Sequence, residues 1–189
     1  PVDKRPFERY DSLLSQVDLE LLFNLLTSFR DKNGNPPIIT ANCVVANPDF
    51  VKIKSDKFNK YHYELITDTF KRYPNHSNNF NLWQQGMAAK IFHPQFHGRE
   101  HLNVNLFLNA LRRKERDVLF GFENEMPGCI PLGPEINGNK YVDATFYDSF
   151  EGKGEIVSIL NEGLELFKKI FGYWSASIIP TNYTWSPDF

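Results

Sequence analysis

The run Ile38 to Ala46 (IITANCVVA) constrains the fold more than any other segment. It is rich in β-branched residues and almost continuously apolar. It is also short, with Pro36-Pro37 before it and Asn47-Pro48-Asp49 after it. Such a run reads as a buried strand rather than one with a wet face, and Asn47-Pro-Asp49 reads as a turn. Before it, apolar residues recur at helical spacing from Ser12 to Arg30: Leu13, Leu14, Val17, Leu21, Leu22, Leu25, Leu26 and Phe29. Ser15 or Asp18 can cap this helix, and Gly34 can take a left-handed turn after it.

Further along, residues 50–80 are polar with scattered aromatics and read as irregular. Leu82 to Ala89 reads as a short helix that Gly86 can stop. Lys90 to His93 leads into a strand end. Leu102 to Arg113 is an amphipathic helix with basic residues near its C-terminus. Residues 121–150 carry Gly and Pro in quick succession and read as a long loop or insertion. Glu155 to Phe171 returns to helix and ends at Gly172. Ser175 to Ile179 reads as a last strand leading into Pro180 to Trp185. Helices alternating with short strands predict a parallel α/β architecture. In either a barrel or an open sheet of that class, chemistry gathers at the C-terminal ends of the strands.

Composition excludes several classes. With 189 residues, 41% of them apolar and 23% charged, the chain suits one folded domain and not wholesale disorder. The net charge is −2 and no basic stripe is present, which argues against a nucleic-acid partner. No apolar run approaches the roughly 20 residues of a membrane span. PVDKRPFERYD, at the start, does not read as a signal peptide. Localisation therefore stays open. Cys43 and Cys129 are too few for a disulfide framework and lack the spacing of a cysteine zinc site. Aromatics reach 15%, and most of them read as core. The chain starts on Pro1 and stops on Phe189, and reads as part of something longer.

The sharpest chemical feature is HPQFHGREH, residues 93–101, which holds three of the five histidines. Imidazole is the commonest neutral ligand for zinc and related metals. Pro94 disfavours helix at His93, so His93 reads as the strand end and His97 as part of the following turn. Gly98 lets the chain bend before Arg99 and Glu100. His93 and His97 are therefore candidate metal ligands. His101 is a third ligand, a supporting group or a core residue. A carboxylate would complete such a site, and Asp49 is a candidate, although it equally suits an ordinary turn. His62 and His76 read as surface residues.

At these residues the sequence resembles the polysaccharide deacetylases, through the strand-end His-x-x-x-His of His93 and His97. More narrowly, TANCVVANPDF followed by FHPQFHGREHLNV resembles a bacterial deacetylase-like branch over most of the chain, from about Ser12 to Trp185. The resemblance implies a distorted, incomplete (β/α) barrel holding a divalent metal, usually zinc. It implies a metal-bound water attacking the acetyl group of an N- or O-acetylated oligosaccharide or polysaccharide. His93 and His97 match the two His ligands. Pro180, Asn182, Tyr183 and Trp185 match the substrate groove, with Arg99 and Glu100 beside it.

The departures are as plain. The Asp-Asp pair that supplies the family's base and acidic ligand is absent, so no catalytic residue can be named. Ser177, Ile178 and Ile179 stand where a groove Arg is expected. The 189-residue chain alone is therefore expected to be inactive. Two other readings compete: a non-catalytic carbohydrate-binding domain or pseudoenzyme, and a different barrel metallohydrolase.

Overall fold

Ser15 opens the first helix. Its hydroxyl accepts from the Asp18 N–H, and the Asp18 carboxylate accepts from the Ser15 N–H, a reciprocal capping box. In this computed structural model, which describes residues 12–127, 140–147 and 149–184, α1 spans Gln16–Ser28. Leu19, Phe23 and Leu26 turn inward, and the Phe23 ring meets Phe92 with centroids 5.7 Å apart. The helix ends at Phe29. Gly34 lies in the turn beyond, at φ +85°, where its N–H donates to the Asp31 carbonyl.

The Ile38 to Ala46 run forms two strands instead of one. β1 (Ile39–Cys43) lies parallel to β4 (Phe92–Phe96), with Ile39 opposite Phe92 and Cys43 opposite Phe96. β2 (Ala46–Pro48) turns away and pairs antiparallel with β3 (Tyr63–Leu65). The break has a local cause. The N–H groups of Val45 and Ala46 both donate to the Arg99 carbonyl, at 3.1 and 2.8 Å, and so leave the ladder. Beyond β4, among the described residues, the sheet continues as a single parallel bridge between Phe96 and Ile178, in place of the expected last strand.

This corrects the barrel expectation. A (β/α) barrel needs a closed ring of parallel strands. Among the described residues there are two sheets of two strands each, and no barrel closes. The protein is a small α/β structure with seven helices and a few short strands among those residues.

The remaining helices are α2 (Phe50–Ser55), α3 (Ile66–Arg72), α4 (Asn79–Ala88), α5 (Val104–Arg112), α6 (Arg116–Glu123) and α7 (Phe150–Phe171). The segment read as irregular thus holds α2, β3 and α3. Within 121–150, Gly121 to Glu123 end α6, residues 128–139 lie outside the described residues, and Lys140–Val142 form a single 3-10 turn. Cys129 also falls outside them. Gly172 closes α7 in the left-handed conformation, at φ +85°.

Two apolar clusters hold these elements together. One packs α5 and α6 against α2 through Phe50, Ile53, Phe107, Leu111 and Phe122. The other packs α7 on β4 through Phe96, Phe167 and Phe171. Aromatic pairs run through both: Phe50 meets Phe122 at 5.3 Å and Phe167 meets Phe171 at 4.6 Å between centroids.

Close approach depends on two glycines. A Cβ on Gly86 would lie 2.7 Å from the Phe23 ring, and one on Gly163 would lie 2.7 Å from the Phe96 ring. Gly154, on the same helix as Gly163, faces open space. One substitution should therefore have opposite effects at two places on α7. Gly154→Ala should stabilise by about 0.5–1 kcal/mol through helix propensity. Gly163→Ala should destabilise by about 1–3 kcal/mol through overpacking against a buried ring. Urea midpoints of the two variants measure both, and equal shifts would contradict this packing.

Candidate functional site

The motif HPQFHGREHLN, residues 93–103, runs from β4 to the N-cap of α5. Strand alternation puts His93, Gln95 and His97 on one side of β4. His93 is exposed. Its ring stacks on Tyr173, with centroids 5.5 Å apart and planes 6° apart, and its Nε2 accepts from the Gln95 amide at 2.8 Å. Gln95 is buried, and its Oε1 accepts from Ser175 Oγ, Ser177 Oγ and the N–H groups of Ala176 and Ser177, all at 2.9–3.0 Å. His97 Nδ1 donates to the Ile179 carbonyl at 2.7 Å. The His101 ring lies 5.1 Å from that of His97. Crowding by surrounding atoms and then the His97 ring lower its pKa.

Arg99 and Glu100 form a buried charged centre. The guanidinium is bidentate to its neighbour, Nε to Oε2 and Nη2 to Oε1, both at 2.7 Å, and Nη1 donates to Glu162 on α7. The faces of Tyr63 and Tyr61 lie 4.7 and 5.6 Å from the guanidinium carbon. Burial works against the Arg99 charge, but the Glu100 and Glu162 carboxylates outweigh it and raise its pKa. Burial pushes Glu100 up despite Arg99. Burial, then the hydrogen bond to Glu162, carries Tyr63 up to about 12. Asn103 completes the motif. It caps α5 through Leu106 N–H and donates its amide to the Asp143 and Phe146 carbonyls.

His93, Gln95, His97, Arg99 and Asn103 therefore join β4 or the loop after it to another segment, while Glu100 and His101 meet neighbours within the motif. This arrangement does not fit the metal centre expected from the sequence. Four residues along a strand separate His93 and His97 by about 13 Å at Cα, and their bonded ring nitrogens face different partners. Asp49 caps α2 through Lys52 N–H and pairs with the Lys52 ammonium at 2.9 Å. Among the described residues no group of three or more His, Cys, Asp and Glu is placed to hold a metal ion.

Among the described residues of the expected sugar groove the space is small. The cavity beside His97, Arg99, Glu100, Pro180 and Thr181 has a volume of about 10 Å³, room for a water at most. Asn182 donates to Asp143, and Tyr183 stands almost fully exposed. Both have positive φ, near +53°. Trp185 lies outside the described residues.

Two features escaped the sequence reading. A cleft of about 550 Å³ opens between α1, α3 and the end of α6, lined by Asp18, Arg72, Tyr73, His76 and Glu125 among others. The other is the outer face of α1. Val17, Leu21, Leu25 and Phe29 are 60%, 64%, 57% and 59% exposed, at successive four-residue steps. The signal was present. Eight apolar positions at 100° per residue cover an arc of roughly 220°, about twice what one buried face needs.

Two outcomes follow for the charged centre. Glu100→Gln should cost about 3 kcal/mol in chemical denaturation, because the buried guanidinium loses its bidentate partner. The joint change Arg99→Met with Glu100→Leu should cost clearly less. Glu162 is held below its ordinary pKa, since the Tyr63 hydroxyl and Arg99 outweigh its burial. Its contribution is present above the unfolded-state value and is lost as pH falls through the lower folded value. Between pH 6 and pH 3 the denaturation midpoint of Glu162→Gln should thus fall less than that of the unsubstituted protein.

No family model matches the chain, and no solved structure does. The Drosophila melanogaster protein "Mediator of RNA polymerase II transcription subunit 10" is 29% identical over 82 residues. The match covers 41% of this chain and 62% of that protein, under two thirds of its length. The deacetylase function and its acetylated-carbohydrate partner are thereby corrected. The similarity found is to a transcription subunit, the barrel does not close, and the described residues assemble no metal-binding group. The hydrolase description goes with them, as does the alternative that needed a barrel. No described helix is long and apolar enough to cross a membrane.

Proposed function

We propose that this chain works as an interaction subunit of a protein assembly, docking through the outer face of α1. The observation that carries the reading is the stripe of Val17, Leu21, Leu25 and Phe29, four large apolar side chains that water covers in the isolated chain. The inner face of the same helix is already occupied by Leu19, Phe23 and Leu26 packed on the fold. A helix apolar on both faces is a helix with two protein neighbours. Anchors at four-residue steps suit a partner helix or a groove. The similarity to a protein named as a Mediator subunit supports the same reading, since a subunit acts inside an assembly.

The test is the native size of the full-length protein in extract from its source cells, by gel filtration and immunodetection. The unsubstituted protein should elute well above its monomer mass. Leu21→Glu with Leu25→Glu should move to the monomer position while keeping its helical circular dichroism, because both residues face water in the isolated chain. Elution of the unsubstituted protein at monomer mass would sink the proposal.

A further inference from the structure

We infer that the partner of the α1 outer face is a second copy of this chain, with the two α1 helices antiparallel about a two-fold axis that crosses the outer face at the level of position 23. This inference rests on the docking reading above and names the occupant.

The first argument is spacing. In an antiparallel pair centred at position 23, Val17 of one copy faces Phe29 of the other, and Leu21 faces Leu25. The stripe is therefore complementary to itself, as an isologous interface requires. Each end sets a small residue against a large one, and the middle sets leucine against leucine. Ser28 and Asn24, polar and short, border the stripe and allow close approach.

The second argument is charge. In the N-terminal half of α1 Glu20 is the unengaged acid, since Asp18 is held in the Ser15 capping box, and the C-terminal end is followed by Arg30 and Lys32. All four are exposed. Asp31, between the two basic residues, is turned into its own loop by hydrogen bonds from Asn33 and Asn35. An antiparallel pair sets the acidic end of each helix beside the basic end of the other. It also sets opposite ends of the helix dipoles together. A parallel pair would oppose like charges at both ends.

The third argument is area. Thirteen residues make a helix about 20 Å long, so one helix pair buries an interface at the lower end of what specific dimers use. The expected dimer is therefore concentration-dependent.

Sedimentation of the purified full-length chain tests this. Its mass should pass from monomer to dimer between about 1 and 100 µM, the range expected of a small interface. Leu21→Glu should abolish the shift. Glu20→Lys alone and Arg30→Glu alone should each weaken self-association at least tenfold, because each makes both ends of the pair alike in charge. An equimolar mixture of these two variants should associate again, since each then meets its opposite. Circular dichroism of each variant checks that α1 is intact. A monomer at 100 µM, or a mixture no better than its components, overturns the two-fold pairing. The native-size measurement separates the two readings. A monomer in isolation with a large species in extract ends this inference and leaves the docking reading standing.

Discussion

The carboxylates of Glu100 and Glu162 hold the Arg99 guanidinium inside the protein, and much of the rest depends on that arrangement. A cation that is 6% exposed is tolerable only with its charge matched and its donors used. Glu100 supplies the bidentate match, Glu162 brings α7 to it, and Tyr61 and Tyr63 cover its faces. The backbone of the same residue breaks the first strand. Its carbonyl takes the N–H groups of Val45 and Ala46 and sends β2 off to pair with β3. Three elements distant in sequence therefore meet at one arginine. The Glu162 contact also needs Gly163 beside it, where no side chain could fit against Phe96.

Helices were the most legible part of the sequence, because a periodic apolar face and a cap are local. Ser15 with Asp18, Asn103 and Gly172 each mark a helix boundary in the structure. The short elements between 50 and 72 were not legible. α2 and β3 have too few residues to show a period, and their placement depends on contacts with α5 and β2. The Ile38 to Ala46 run looked like one strand because its composition is uniform. What divides it is a carbonyl more than fifty residues away, which no local pattern reveals.

The histidine motif shows how a chemically suggestive pattern can serve structure. Its residue types suit a metal, and HPQFHGREHLN resembles a catalytic segment. In the fold the same polarity is spent on joining segments: Gln95 to Ser175–Ser177, His97 to Ile179, Asn103 to Asp143 and Phe146. Polar groups near a core must find partners, and a segment rich in them can become a hub without becoming an active site. The α1 outer face shows the opposite case. Leucines at helical spacing suit an ordinary core face, yet four of the six read there, Leu13, Leu14, Leu21 and Leu25, face water. The inner face is settled by Phe23 against Phe92 and Gly86, so the outer face is the surplus that a neighbouring protein would cover.

The most direct test of that account is photo-crosslinking in the source cells, with a benzophenone side chain placed at Leu21 of the full-length protein and at exposed Lys54 as the reference. The account predicts a discrete protein adduct from position 21 and none from position 54. No adduct at 21 beyond that at 54 would mean that water covers this face in the cell, and the interaction role would fall.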